Sequence, residues 1–189
     1  MNTSSSPRPG ALGLLRTEPA LGRKDLLAEP VFAVLTAGDG TLPAPQVQVA
    51  EIDPDVADTA AFCARYRVSL DESANCVVIS GRRGGETRYA ACVVLATTRA
   101  DVNGVARREL DVRKASFAPV DTAVAETGME YGGITPLGLP AGWLILVDSL
   151  AAATPWVVIG SGVRRSKLVL PGQALASLPG AKVIEGLGR

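Results

Sequence analysis

The residues best suited to do chemistry form a glycine-rich loop, Gly132-Gly133-Ile134-Thr135-Pro136. Glycine lets the backbone adopt conformations that are closed to other residues, and the proline fixes the direction in which the chain leaves the loop. A rigid loop of this kind can direct unpaired N–H groups at a carbonyl or phosphate oxygen, as in the stabilisation of negative charge during acyl transfer. The composition is equally typical of a tight turn between strands, so the loop alone leaves both interpretations open.

A second loop, Gly160-Ser161-Gly162-Val163-Arg164-Arg165, follows a predicted strand and could contact a phosphate through its arginines. It matches neither the P-loop nor the dinucleotide-binding pattern, because it lacks Gly-Lys-Ser/Thr and a third glycine that opens a helix. ATP and NAD are therefore not expected. Asp148 comes directly after an apolar strand, where it could orient a site or cap the next turn.

Histidine is absent from the chain, which excludes Ser-His and Cys-His catalytic pairs. The three cysteines, Cys63, Cys76 and Cys92, are odd in number and far apart, which argues against a disulfide framework or a zinc site. We expect them to be small buried hydrophobic residues, and we expect the protein to be cytoplasmic. No metal or cofactor is predicted.

Hydrophobic periodicity predicts an α/β protein in which strands and helices are interleaved. Helices are expected over 24–37, where Leu26, Leu27, Val31 and Leu35 give a partial apolar stripe and Pro30 a break, and from Asp58-Thr59 onward, with Asp58 as the cap. Further helices are expected over 101–110, over 121–126 with a stop at Gly128, and over 173–178, and a turn is expected over 38–40. Strands are expected over 46–52, 114–118, 143–147, 156–159, 167–170 and 182–184, and 74–79 and 88–96 are expected to form a hairpin around the turn 81–85. This order is too irregular for a doubly wound parallel sheet, and it favours a curved, partly barrel-like mixed sheet flanked by helices.

With 189 residues, 47% of them hydrophobic and 20% charged, the chain can form one globular domain. We expect a disordered tail over 1–20, a single domain over 21–189, and no segment long enough to span a membrane. Net charge is zero, but residues 76–189 hold 13 basic and 9 acidic groups. Such an excess could contact phosphates, yet it is also typical of a solvated surface and does not establish a nucleic-acid partner.

Several motifs in their order along the chain resemble the YbaK family of aminoacyl-tRNA editing domains. The motifs are Ala74 to Ile79, Thr127-Gly128, the loop Gly132 to Pro136, Val147-Asp148 and the loop Gly160 to Arg165. That family includes the editing insertion of bacterial prolyl-tRNA synthetases and free-standing deacylases that act on tRNA carrying the wrong amino acid. The resemblance extends from about Gln46 to the C-terminus.

The resemblance implies a pocket between the strand at Asn75 and the first glycine loop. The 3′-terminal adenosine of a mischarged tRNA and its aminoacyl ester would bind there. It also implies hydrolysis without metal or histidine, through loop amides, an ordered water and the terminal ribose hydroxyl. The residues assigned to catalysis on this basis are Asn75, Gly132, Gly133 and Ile134, and those assigned to substrate binding are Thr135, Pro136, Asp148, Gly160, Ser161, Gly162 and Arg164.

One position departs from the family pattern, because Asn75 stands where the family usually has a lysine that is important for activity. An amide can donate a hydrogen bond but carries no charge. Arg88 or Lys114 could supply the missing charge. The leading hypothesis is a deacylase that acts in trans, and the alternatives are a catalytically silent module that binds an aminoacyl-adenosine end and a partner-binding domain anchored by Trp143 and Trp156.

Overall fold

Two β-sheets and six α-helices make up residues 12–37 and 46–189, which are the residues that the computed structural model describes. The strands are β1 (Glu18–Pro19), β2 (Gln48–Glu51), β3 (Ala74–Arg83), β4 (Glu86–Leu95), β5 (Ala115–Phe117), β6 (Leu144–Asp148), β7 (Val157–Gly160), β8 (Ser166–Leu170) and β9 (Ala181–Ile184). The helices are α1 (Glu29–Ala37), α2 (Thr59–Tyr66), α3 (Arg107–Glu109), α4 (Val120–Thr127), α5 (Ser149–Ala153) and α6 (Gly172–Ala176). None of the helices in the described ranges is long and apolar enough to cross a membrane.

The two sheets differ in their pairing. The first has the order β1-β2-β8-β7 and is antiparallel throughout. The second has the order β5-β3-β4-β6-β9, and β6 pairs in parallel with both β4 and β9. A parallel bridge between Ser73 and Val158 connects the first sheet to the start of β3. The predicted mixed α/β class is confirmed, whereas partial closure into a barrel stays a prediction.

The longest element is the hairpin of β3 and β4. Its two-residue turn is Gly84-Gly85, with φ of +60° and +87°, the positive values that a tight hairpin turn of this twist requires. Paired residues run from Arg83 opposite Glu86 at the turn to Ala74 opposite Leu95 at the other end. The pairing therefore places Asn75 far from the turn, where the two sheets meet.

Apolar side chains from both sheets and from α1, α5 and α6 form the largest core cluster. Helix α1 contributes Val31 and Leu35, both essentially inaccessible to solvent. The prediction of one helix over 24–37 broken at Pro30 is wrong, because α1 begins only at Glu29. Pro30 lies in the first turn of α1, where the missing N–H has no intrahelical partner to lose.

The N-terminal segment differs from the predicted disordered tail over residues 12–20. Leu12 is buried, the Leu14 N–H donates to the Tyr66 carbonyl oxygen at 2.7 Å, and β1 pairs with β2. The composition of the segment did not predict these contacts, which bury part of its apolar surface. Residues 1–11 and the turn predicted over 38–40 lie outside the described residues.

Other helices depart from prediction near their ends. The segment predicted as a helix over 101–110 begins with a π-helical turn, Val102–Ala106, capped by the Asp101 carboxylate, which accepts the Gly104 and Val105 N–H groups at 3.1 and 3.0 Å. Helix α5 was not predicted. As predicted, α4 ends at Gly128, which adopts the left-handed conformation with φ of +66°.

Candidate active site

A cavity of about 340 Å³ lies beside the first half of β3. Two strands flank β3 on this side: β7 contacts its start through the bridge at Ser73, and β5 pairs with residues 79–81. The interval between them leaves room for the cavity. It is lined by Ala57, Asp58, Thr59, Ser73, Ala74, Asn75, Cys76, Val77, Val78, Phe117, Ala118, Val120, Ala123, Tyr131, Gly132, Ile134, Val158, Ile159, Gly160 and Lys167.

Asn75 lines the cavity, and its side chain is oriented by the first residue of α2. The Thr59 hydroxyl donates to Asn75 Oδ1 at 2.5 Å. This contact occupies the acceptor end of the amide, so the NH₂ group remains as the donor available to a ligand. Asp58 precedes Thr59 and was predicted to cap α2, but its side chain makes no capping hydrogen bond.

The first glycine loop contributes Gly132 and Ile134 to the cavity wall. Gly132 has φ of +80°, and the Gly133 N–H donates to the Glu130 carbonyl oxygen at 2.9 Å. Among the described residues no acceptor is found for the Gly132 and Ile134 N–H groups. The loop therefore leaves two backbone donors uncommitted on residues that line the cavity, and preorganised backbone N–H groups are the usual donors to an oxyanion.

The second glycine loop holds the first in place through backbone contacts. Gly162 donates to the Gly133 carbonyl oxygen at 2.8 Å, and Glu130 donates to the Gly162 carbonyl oxygen at 2.8 Å. A Cβ atom on Gly160 would lie 2.4 Å from the Gly133 oxygen. That approach excludes a side chain at position 160. Gly160 therefore supports the first glycine loop, and it also lines the cavity.

Arg164 connects three segments without lining the cavity itself. Its guanidinium donates to the carbonyl oxygens of Tyr131 and Pro54, both at 3.2 Å, and its backbone N–H donates to Glu130 Oε2 at 2.7 Å. Ser161 is fully buried and lies 2.7 Å from Ser166 Oγ. These contacts make both residues supports of the two loops, and their predicted role in binding substrate stays a prediction.

Four further predicted residues lie away from the cavity surface. Gly133, Thr135 and Pro136 are buried, and the Thr135 Oγ1 has no hydrogen-bond partner among the described residues. Asp148 is 2% exposed and accepts the Leu150 N–H at 3.0 Å and the Gly188 N–H at 2.7 Å. Of the two roles left open for Asp148, capping is the one these contacts perform, since it begins α5.

Lys167 is a cavity residue that the sequence did not single out. Its side chain reaches from β8 to the loop before α2, where Nζ donates to the Ala57 carbonyl oxygen at 2.9 Å. Only 8% of the residue is exposed, and Nζ lies 5.3 Å from the centroid of the Phe62 ring. The available signal was a lysine directly before the apolar residues 168–170 of a predicted strand, because charged residues are rarely buried without a partner.

The surroundings of Lys167 disfavour its charged form. Burial lowers the pKa of this ammonium group below its ordinary value, the Arg164 charge lowers it further, and Asp58 acts in the opposite direction. Neither Arg88 nor Lys114, the two residues proposed from the sequence to supply a charge, lines the cavity. Arg88 is instead paired with Asp111, at 3.0 Å.

The cavity cysteine is poorly suited to act as a nucleophile. Burial raises the pKa of the Cys76 thiol far above its ordinary value, with a smaller contribution from Cys92. Burial also raises the pKa of Cys92, to about 12. Both groups stay protonated near neutral pH, and the thiolate is the reactive form. No cluster of three or more Cys, Asp or Glu residues suited to a metal ion is present in the described ranges.

The mouth of the cavity carries exposed apolar side chains. Phe117 is 64% exposed, Tyr131 is 59% exposed and Val120 is 49% exposed. All three line the cavity, and together they form an apolar rim next to its polar floor.

Comparison with known families identifies the kind of domain to which this site belongs. The family model described as the aminoacyl-tRNA editing domain matches residues 53–178, about two thirds of the chain. The chain belongs to this family. The matched range contains every segment that lines the editing domain's cavity, from Ala57 to Lys167.

Several solved structures share the fold of this chain. A protein assigned provisionally as a trans-editing enzyme for prolyl-tRNA synthetase superposes with a TM-score of 0.68 at 19% identity, covering 84% of this chain and 97% of that one. A protein described only as hypothetical gives 0.66 at 20% identity, with coverages of 76% and 91%. A scaffold used for grafting linear epitopes gives 0.67 at 24% identity, with coverages of 86% and 96%. At these identities the likeness shows the editing-domain fold.

Proposed function

We propose that this editing domain acts in trans and hydrolyses the ester bond between a wrongly attached amino acid and its tRNA. The observation that carries the proposal is that one cavity is lined by several residues with hydrogen-bond donors. Gly132 and Ile134, whose N–H groups have no acceptor among the described residues, line one wall, and Asn75 and the buried Lys167 line others. During ester hydrolysis the carbonyl oxygen becomes negatively charged, and donors of this kind stabilise that charge.

In the proposed reaction the aminoacyl ester sits with its carbonyl oxygen toward the two loop amides. A water oxygen adds to the carbonyl carbon, and the resulting oxyanion is stabilised by donors that are already in position. The bond between the carbonyl carbon and the ribose oxygen then breaks, and the departing ribose oxygen takes up the proton that the water has lost. The neighbouring ribose hydroxyl of the substrate assists this transfer, and the products are the free amino acid and uncharged tRNA.

Lys167 would supply the positive charge that Asn75 cannot. Its ammonium group lies in a cavity that is partly closed to solvent, where a charge acts over a short range with little screening. Asn75, held by Thr59, would supply a neutral donor beside it. The apolar rim would accept the terminal adenine, because an exposed aromatic ring stacks on any nucleobase.

The test is a panel of mischarged tRNAs incubated with the pure protein. We expect release of the amino acid from at least one of them above the rate in buffer. The cytoplasm stays the predicted compartment of the protein. The absence of release from every member of the panel would reject the proposal.

A catalytically silent binding module is the second candidate, and the neutral Asn75 side chain favours it. An amide is uncharged, so this position brings no charge to the cavity, and its Oδ1 already accepts the Thr59 hydroxyl. An Asn75→Lys variant separates the two candidates. If the wild type only binds an aminoacyl-adenosine end and the variant hydrolyses it, the silent module is correct. Turnover by the wild type rejects that module.

A further inference from the structure

Three arginines converge at the tip of the β3–β4 hairpin, far from the cavity. Arg82, Arg83 and Arg113 line one shallow depression together with Gly84 and Gly85. All five residues are exposed. Arg83 pairs with Asp111, whereas no carboxylate in the described part of the chain forms an ion pair with Arg82 or Arg113.

The charge around this depression is concentrated in one stretch of sequence. Residues 82–114 hold eight basic and four acidic groups, a net charge of +4 in a chain whose total is zero. None of these residues lines the cavity. Like charges brought together repel one another, so such a cluster is best accommodated beside an anion. Guanidinium groups match phosphate oxygens with two parallel hydrogen bonds.

Strand β3 fixes the distance between the cluster and the cavity. Arg83 follows Asn75 by eight residues, so by alternation both side chains belong to the same face of the strand. At about 3.3 Å per residue, the two positions are about 26 Å apart. A ligand that contacts both must therefore be long and carry phosphates at a distance from the end that enters the cavity.

We propose that the arginine cluster, formed by Arg82, Arg83 and Arg113, binds backbone phosphates of the tRNA acceptor arm while its 3′ end occupies the cavity. This inference rests on the proposed function, since it assigns the cavity to the terminal aminoacyl-adenosine. The cluster contacts nucleotides that precede the terminal adenosine. It raises affinity for the whole tRNA without taking part in the chemistry, because phosphate contacts position a nucleic acid and base contacts specify it.

The test compares the wild type with an Arg82→Gln/Arg113→Gln variant. Both positions are exposed, and neither side chain has an ion pair to lose among the described residues. An Arg16→Gln/Arg67→Gln variant is the matched control, because it removes the same charge from exposed positions outside the cluster. Affinity for uncharged tRNA is measured by fluorescence anisotropy between 50 and 200 mM salt, so this readout does not require hydrolysis.

Each lost phosphate contact lowers the slope of log affinity against log salt by about 0.7 to 0.9. Between 50 and 200 mM salt, the decrease in tRNA affinity should therefore be about tenfold smaller for the cluster variant than for the wild type. The control variant should show the same decrease as the wild type. Equal slopes for the wild type and the cluster variant, or an equal loss in the control, would overturn the inference.

A second readout separates this inference from the proposed function. Hydrolysis of a short 3′-aminoacyl-adenosine substrate, which is too short to reach the cluster, should be the same in the wild type and the cluster variant. Loss of that activity in the variant would also contradict the inference. If no protein hydrolyses any substrate, the proposed function fails, and tRNA affinity still decides whether the cluster binds RNA.

Discussion

At the scale of single residues, Lys167 is a basic side chain that is buried beside the cavity. A buried ammonium group costs free energy, and its hydrogen bond to the Ala57 oxygen compensates for only part of the lost hydration. Replacing such a group by an apolar side chain of similar length is often neutral or stabilising. A function in the cavity gives a reason for keeping the charge.

We predict that Lys167→Met lowers the rate of ester hydrolysis about 100-fold, the usual cost of losing one oxyanion donor. The free energy of unfolding should stay the same or increase, because the buried charge is removed. Deacylation assays and urea denaturation of the same preparations measure the two effects. Lys182→Met is the control, since Lys182 is a half-exposed lysine on β9, and it should change neither quantity. A loss of activity that accompanies an equal loss of stability would contradict the proposed role.

The lowered pKa of Lys167 also predicts a pH dependence of stability. In the folded protein this pKa lies below the unfolded value of about 10.4, so between the two values the unfolded state binds more protons. Unfolding free energy therefore increases as pH rises through that window, and the cost of the buried charge disappears. The difference in stability between Lys167→Met and the wild type should shrink in the same window. A difference that is constant with pH would contradict this assignment.

Thr135 differs from Lys167, because its buried hydroxyl has no hydrogen-bond partner in the part of the chain that the structure describes. Thr135→Val keeps the shape and removes the desolvated hydroxyl, so it should raise the unfolding free energy by about 1 kcal/mol. Thr127→Val is the matched control, because the Thr127 hydroxyl is buried and donates to the Ala123 oxygen at 2.7 Å. The control should lose about 1 kcal/mol, and denaturation curves measure both changes. A loss in Thr135→Val would show that its hydroxyl is satisfied after all.

Residues differ in how far the sequence could assign them. Asn75, Gly132, Ile134 and Gly160 were assigned from motifs and line the cavity. Lys167 could not be assigned in this way, since its role depends on a contact with the loop at Ala57, 110 residues earlier in the chain. Local patterns do not record which distant backbone oxygen a buried lysine will reach.

At the scale of elements, the two glycine loops form one unit. Gly160 approaches the Gly133 oxygen so closely that a methyl group cannot fit, and Gly162 donates to that same oxygen. The position of Ile134, and with it the wall opposite Asn75, depends on this contact. The conformation of the first loop is therefore set by β7 and by the loop that follows it.

We predict that Gly160→Ala displaces the first loop, lowering both the rate of ester hydrolysis and the unfolding free energy, the latter by about 1 to 3 kcal/mol. A Cβ at this position meets backbone atoms, which cannot rotate away. Gly22→Ala is the control, since nothing lies within 4 Å of its Cβ position. Activity and thermal unfolding of both variants are measured side by side. A Gly160→Ala protein with normal activity would show that the loop position is not needed.

Elements with a strong local pattern were predicted well. The β3–β4 hairpin follows from two apolar runs around Gly84-Gly85, and α4 ends at Gly128 as its sequence requires. Helix α1 was predicted too long, because the apolar residues Leu26 and Leu27 suggested one helical stripe, whereas Leu26 ends a separate 3₁₀ turn, Lys24–Leu26. The apolar pattern alone did not distinguish an α-helix from a non-α-helical segment whose side chains are buried.

At the scale of the whole molecule, the cavity exists only because six separate segments meet. They are the start of α2, β3, the region from β5 to α4, the first glycine loop, β7 and β8. The mixed α/β class and the family were predictable, since both rest on the order of motifs along the chain. The size of the cavity and its charge were not, because they depend on long-range packing.

The proposed function requires that this cavity hydrolyses an aminoacyl ester. The most direct test is single-turnover hydrolysis over the mischarged tRNA panel, with the protein in excess so that weak binding cannot hide the reaction. We predict release of the amino acid from at least one tRNA faster than in buffer, and release from that tRNA about 100-fold slower with Lys167→Met. Release at the buffer rate from every tRNA in the panel would reject the proposed function.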